Sequence, residues 1–118
     1  MAEVTVDDGQ LVISLSVPER VFSLHGGSVI IPLEQVGGVR VVRNVLGQLR
    51  GLRTPGASVR GRVAIGTWRG TADGRAFRDF VLIRQPGPGV VITTSGEYDR
   101  VLLDSDEPHQ LAARIGRT

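Results

Sequence analysis

A chain of 118 residues, 41% hydrophobic and 22% charged, is one domain's worth of polypeptide and is long enough to bury a core without a metal or a disulfide. It contains no cysteine, which excludes disulfides, thiolate chemistry and cysteine-ligated zinc together. The net charge of +2 hides an uneven distribution: nine of the fourteen arginines lie between Arg40 and Arg78 beside one acid, Asp73, so a +8 middle sits between ends that sum to −6. That asymmetry predicts one electropositive surface on an otherwise acidic body, and an anionic partner for it. All fourteen basic residues are arginine, which a GC-rich genome explains without invoking function.

Residues 1–10 carry three acids and neither a basic side chain nor an apolar run, so they do not read as a secretory signal. Apolar runs elsewhere span only a few residues, too short for a membrane helix. The expectation is a cytoplasmic protein, with membrane-peripheral attachment as the alternative.

The chain then reads as short strands. Leu11, Ile13, Leu15 and Val17 alternate with Val12, Ser14 and Ser16, which predicts a half-buried strand ended by Pro18. Val21 to His25 is a second strand, and Gly26-Gly27 turns it into Val29-Ile30-Ile31, which Pro32 either ends or places on a sheet edge. Val39 to Arg43 follows, with Val39 and Val41 toward the core and Arg40 outward. Residues 45–61 have weak periodicity and read as a long loop, with one helical turn near Val45 to Leu49. Within it, a turn would put Arg50 and Arg53 on the same side, and Pro55-Gly56 suits a type II turn.

Strands resume at Arg62 to Trp68, Phe77 to Arg84, Gly89 to Thr94 and Tyr98 to Leu103, separated by glycine- and proline-containing turns. The chain ends in a helix. Ser105 or Asp106 can cap it, Pro108 suits its first turn, Leu111, Ala112 and Ile115 share a face, and Gly116 can stop it. The fold expected is therefore a single, mainly β domain over residues 1–118, with a C-terminal helix covering an opening between sheets.

This order resembles the bacterial pleckstrin-homology-like (PH-like) domains. The run Ile31-Pro32-Leu33-Glu34-Gln35-Val36 before a Val/Arg strand carries part of the likeness. So do Leu49 to Gly56, Ala64-Ile65-Gly66-Thr67 and the ending Asp104 to Pro108, which are similar to the small actinobacterial members. The resemblance implies a barrel or sandwich of two near-orthogonal antiparallel sheets, about seven or eight strands in all, capped by the C-terminal helix. It implies no chemistry, because this fold serves lipid, peptide and protein binding alike. Lipid-binding members hold headgroups with basic residues on the first strands, where this chain has only Arg20 and His25.

The candidate anion- or partner-binding residues are Arg40, Arg43, Arg50, Arg53, Arg60 and Arg62, on the expectation that Arg50 and Arg53 face solvent. Arginines scattered over a solvated face, some paired with the acidic ends, are the competing reading. Trp68, the single tryptophan, is either an interface anchor or a core residue. His25 and His109 are too few for a metal or catalytic constellation. Asp104, Asp106 and Glu107 match no calcium-loop spacing, and neither a phosphate loop with its lysine nor a nucleophile elbow occurs. An enzyme would need an acid/base pair or metal site, which no motif supplies; a distributed carboxylate site such as Asp79 with Asp99 is the alternative left open.

No cofactor is expected. The leading reading is a non-enzymatic module that binds a protein or a second copy of itself. Peripheral binding to anionic phospholipid comes second. Nonspecific nucleic-acid binding comes third, because aromatics at 4% are thin for base stacking.

Overall fold

The computed structural model describes residues 3–7, 9–14, 28–50, 52–59 and 63–116, with side chains undescribed for residues 3, 7, 14, 28, 52–59, 63 and 64. A three-stranded sheet runs β1 (Glu3–Asp7), β2 (Gln10–Ser14), β3 (Ser28–Pro32), antiparallel throughout. Opposite Leu11 and Ile13 lie Ile31 and Val29, so the apolar alternation puts all four on one face.

The second sheet has six strands: β4 (Val36–Val42), β5 (Leu52–Val59), β6 (Val63–Ala72), β7 (Arg75–Ile83), β8 (Gly89–Thr94) and β9 (Arg100–Asp104). Their spatial order is β4-β8-β9-β7-β6-β5. Asp73 and Gly74, both at positive φ, close β6 onto β7 as a two-residue hairpin whose twist suits the flanking strands. From β7 the chain passes beyond one strand position to β8, then returns as β9 into the gap, parallel to β7 and antiparallel to β8.

Both faces of this sheet bury apolar side chains, and that explains the unbroken runs Phe80–Ile83, Val90–Ile92 and Val101–Leu103. On the inner face, Phe80, Leu82, Val90, Ile92, Val101 and Leu103 pack against Leu11, Ile13, Val29 and Ile31 of the small sheet. Helix α1 (Pro108–Ile115) closes that core with Leu111 and Ile115, and Ala112 packs alongside. On the outer face, Trp68, Val81, Ile83, Val91 and Leu102 are covered by Val45 and Leu46 of a 3-10 turn at Val45–Gln48 and by Leu49, which follows it. The Asn44 side chain caps that turn by accepting from the Gly47 N–H at 3.3 Å.

The mainly β class, the two sheets and the C-terminal helix match the expectation from sequence. Other expectations change. Among the described residues there are nine strands, and the β7/β9 pair is parallel, so the large sheet is not antiparallel throughout. Residues 52–59, expected as loop, form β5. Its sequence has no clear alternation; the strand is made by its backbone ladder with β6, with a register shift between Arg53 and Gly56. Pro55 lies in that shift rather than in a turn; β5 ends the strand order and pairs with β6 on one side, where a missing N–H is tolerated. Strand β1 was not foreseen, although Val4 and Val6 pack against the inner core. The Ser105 hydroxyl accepts from the Glu107 N–H at 3.1 Å at the helix start, and Glu107 itself occupies the N-cap position. The expected strand Val21 to His25, the Gly26-Gly27 turn and residues 15–18 lie outside the described residues.

Candidate functional site

Strand register builds the outer-face site. Gly38 of β4 pairs with Thr93 of β8, Thr93 with Arg100 of β9, Arg100 with Asp79 of β7, Asp79 with Trp68 of β6, and Trp68 with Arg53 of β5. One row therefore crosses all six strands. Its apolar neighbours on β7 and β9, Val81 and Leu102, belong to the outer core, so the row marks where that core gives way to polar groups.

Asp79 is the row's centre and is 1% exposed. A carboxylate removed from water stays charged only when paired and hydrogen-bonded. Two guanidiniums do this. Arg50 grips it bidentately, Nε to Oδ2 at 2.8 Å and Nη2 to Oδ1 at 3.0 Å. Arg100 donates Nε at 3.1 Å and Nη2 at 2.9 Å to Oδ2. The same Arg100 Nη2 donates to the Gln48 carbonyl at 2.8 Å, tying β9 to the 3-10 turn. Arg50 also lies 3.9 Å above the centre of the Phe77 ring. Its hydrogen bonds to Asp79 raise its pKa above the ordinary arginine value, outweighing partial burial; the charges of Asp79 and Asp99 add to the rise. Arg40 extends the cluster, with Nη2 donating to the Gln48 Oε1 at 3.1 Å.

These contacts revise the arginine expectations. Arg50 does not simply face solvent: its side chain is 33% exposed and its fork is engaged by Asp79. The 3-10 turn ends at Gln48, so no helical turn links Arg50 to Arg53, which lies in β5 with its side chain outside the described set. Arg40 is exposed, as its strand's alternation predicts, and Arg43 is exposed too; Arg60 and Arg62 lie outside the described residues. The described arginines do not share one surface. Arg40, Arg50 and Arg100 cluster on the outer face, whereas Arg69 and Arg78 pair across β6 and β7 on the inner-face side. There they line a cavity of about 510 Å³ together with Glu97 and Asp99, so acids balance them.

Beside them, the Tyr98 hydroxyl has a raised pKa. Burial contributes most and Glu97 adds to it, while a hydrogen bond with Thr67 and the charges of Arg78 and Arg69 oppose it. Trp68 is a core residue, 5% exposed. Asp79 and Asp99 do not line one pocket: Asp79 is enclosed by its arginines, and Asp99 is exposed and accepts from the Arg78 backbone N–H at 2.7 Å. Asp104, also buried, accepts from both the backbone N–H and the Nε of Arg84, at 3.0 and 3.1 Å. Among the described residues no group of three His, Asp or Glu side chains is placed to hold a metal ion, and no helix is long and apolar enough to cross a membrane.

Sequence reasoning missed Arg100 and the centrality of Asp79. Both flank the arginine-rich middle, and only the parallel β7/β9 register makes them neighbours. A pairing prediction for β9 was the one signal that would have found them. No protein-family profile, curated protein or solved structure matches this chain.

Proposed function

We propose that this chain is a non-enzymatic interaction module of PH-like type, and that it binds a protein strand, a second copy of itself being the first partner to test. The observation that carries this reading is strand β4. It ends the six-stranded order and, among the described residues, pairs on one side only, with β8. Gly37, Gly38 and Arg40 along it are exposed. A terminal strand with unpaired backbone groups and few bulky side chains is suited to accepting another strand, with the arginines as a polar rim.

The buried carboxylates support binding over catalysis, since Asp79 and Asp104 are both committed to arginine partners. The division of the described arginines between two faces favours a protein partner over a lipid surface. A planar anionic membrane adds about 1 kcal/mol per basic residue only for residues that reach it together. The PH-like assignment itself rests on the sequence resemblance and on the two-sheet arrangement with its terminal helix. The parallel central pair is a departure from it.

Sedimentation equilibrium over a wide concentration range, paired with co-sedimentation on neutral and anionic vesicles, tests the reading. A mass that rises with concentration, together with indifference to vesicles, is expected. A monomer at every concentration that sediments with anionic vesicles and is released by salt would replace it with the lipid reading.

A further inference from the structure

The outer-face row leaves one gap. Gly38 contributes no side chain, and a Cβ placed there meets nothing within 4 Å. Thr93, next along the row, is short and exposed. Arg40 on one side and Arg100 on the other complete a notch of about 310 Å³, and no acid lines it among the described residues.

We propose that this notch binds a phosphate-type oxyanion, held between Arg40 and Arg100 over Gly38 and Thr93. The argument starts from Arg100. Its Nε and Nη2 are spent on Asp79 and on the Gln48 carbonyl, which locks the guanidinium in place before any ligand arrives. The two N–H groups of its Nη1 have no partner among the described residues, so an oriented, charged donor is left at the notch. Arg40 is held by a single hydrogen bond to Gln48 and keeps the rest of its donors. The Thr93 hydroxyl is a third donor without a partner among the described residues.

Three donor groups carried by three strands suit the oxygens of a tetrahedral ion. A carboxylate prefers the parallel fork of one arginine; the fork of Arg100 is closed on Asp79, so a carboxylate would engage Arg40 alone, whereas a tetrahedral ion reaches all three donors. Asp79 is shared between two guanidiniums, so it does not cancel the charge of Arg100 alone. The inference does not depend on the protein-binding reading, because the ligand is a single ion and the isolated chain is the test object.

The test is a titration of the ¹⁵N-labelled chain with inorganic phosphate, with sodium chloride at matched ionic strength as the reference. Saturable amide shifts are expected at Gly38, Arg40, Thr93 and Arg100, with little response to chloride. Arg40→Ala removes one charged donor and should weaken phosphate by about tenfold. Gly38→Val fills the notch without changing its charge; the backbone there is not in the left-handed region, so folding is retained and binding is lost. A thermal melt of each variant confirms that it folds. Equal shifts with chloride or with acetate would overturn the proposal, as would phosphate binding that survives both substitutions. A phosphoserine peptide that perturbs the same amides assigns the notch to phosphate monoesters, and a response to inorganic phosphate alone assigns it to the free ion.

Discussion

The two faces of the six-stranded sheet are held by different physics. The inner face is mainly apolar, with Arg69 and Arg78 at one end, and is covered by a second sheet and a helix. The outer face is apolar only over the centre, under a short 3-10 turn, and beyond that it is held by one carboxylate between two arginines. Hydrophobic burial is non-directional and tolerates many covers, so a whole layer can supply it. An ion pair in a nearly dry site demands exact partners, so a few residues carry that half of the molecule. A large sheet can therefore be finished on one side by area and on the other by geometry.

Substitutions on each side test that contrast. Phe80, fully buried at the middle of the inner face and 5.6 Å from the Tyr98 ring, should be the most costly single truncation. Phe80→Ala is expected to lower unfolding free energy by about 4 kcal/mol in urea titration, through lost transfer energy and a residual cavity. Next comes Asp79→Ala, which leaves two guanidiniums without their carboxylate; about 3 kcal/mol is expected. An Asp79→Ala chain as stable as the parent would show that packing alone holds the outer face.

Arg50→Ala separates the two arginines. Arg100 still neutralises Asp79, and Arg50 is one-third exposed, so a loss of about 1 kcal/mol is expected, from a screened ion pair and the contact with Phe77. A loss as large as that of Asp79→Ala would mean that Arg100 cannot hold the carboxylate by itself.

The smallest effect at neutral pH belongs to Tyr98. Its folded pKa lies above the ordinary value of 10.0, so the protonated phenol is favoured by folding. That contribution is complete below pH 10 and is lost as pH rises through the folded value. Melting temperature should therefore fall more steeply above pH 10 in the parent than in Tyr98→Phe, with the two curves parallel below it. Parallel curves at all pH values would show that the ring is not shielded as its burial implies.

The inner face was largely legible from sequence. Leu11 and Ile13 alternate with Val12, Val39 and Val41 flank an outward Arg40, and Leu111, Ala112 and Ile115 fall at helical spacing. In each case local periodicity and burial agree. Strand β5 was not legible, because Leu52 to Gly56 has neither alternation nor strong strand formers and owes its conformation to the ladder with β6. The site was legible in half. The exposure of Arg40 followed from the alternation of its strand, but the capture of Arg50 by an acid 29 positions away did not.

The sequence by itself determined a mainly β chain, the terminal helix with its buried face, and an excess of arginine over one stretch. These follow from side-chain periodicity, capping and charge, which act over a few residues. The tertiary structure alone decided that β9 enters between β8 and β7. That pairing sets Arg100 beside Asp79 on one side and beside Thr93, at the notch of Gly38, on the other. Strand order is chosen by long-range pairing among strands of similar composition, and nothing local in such strands records which neighbour each will take.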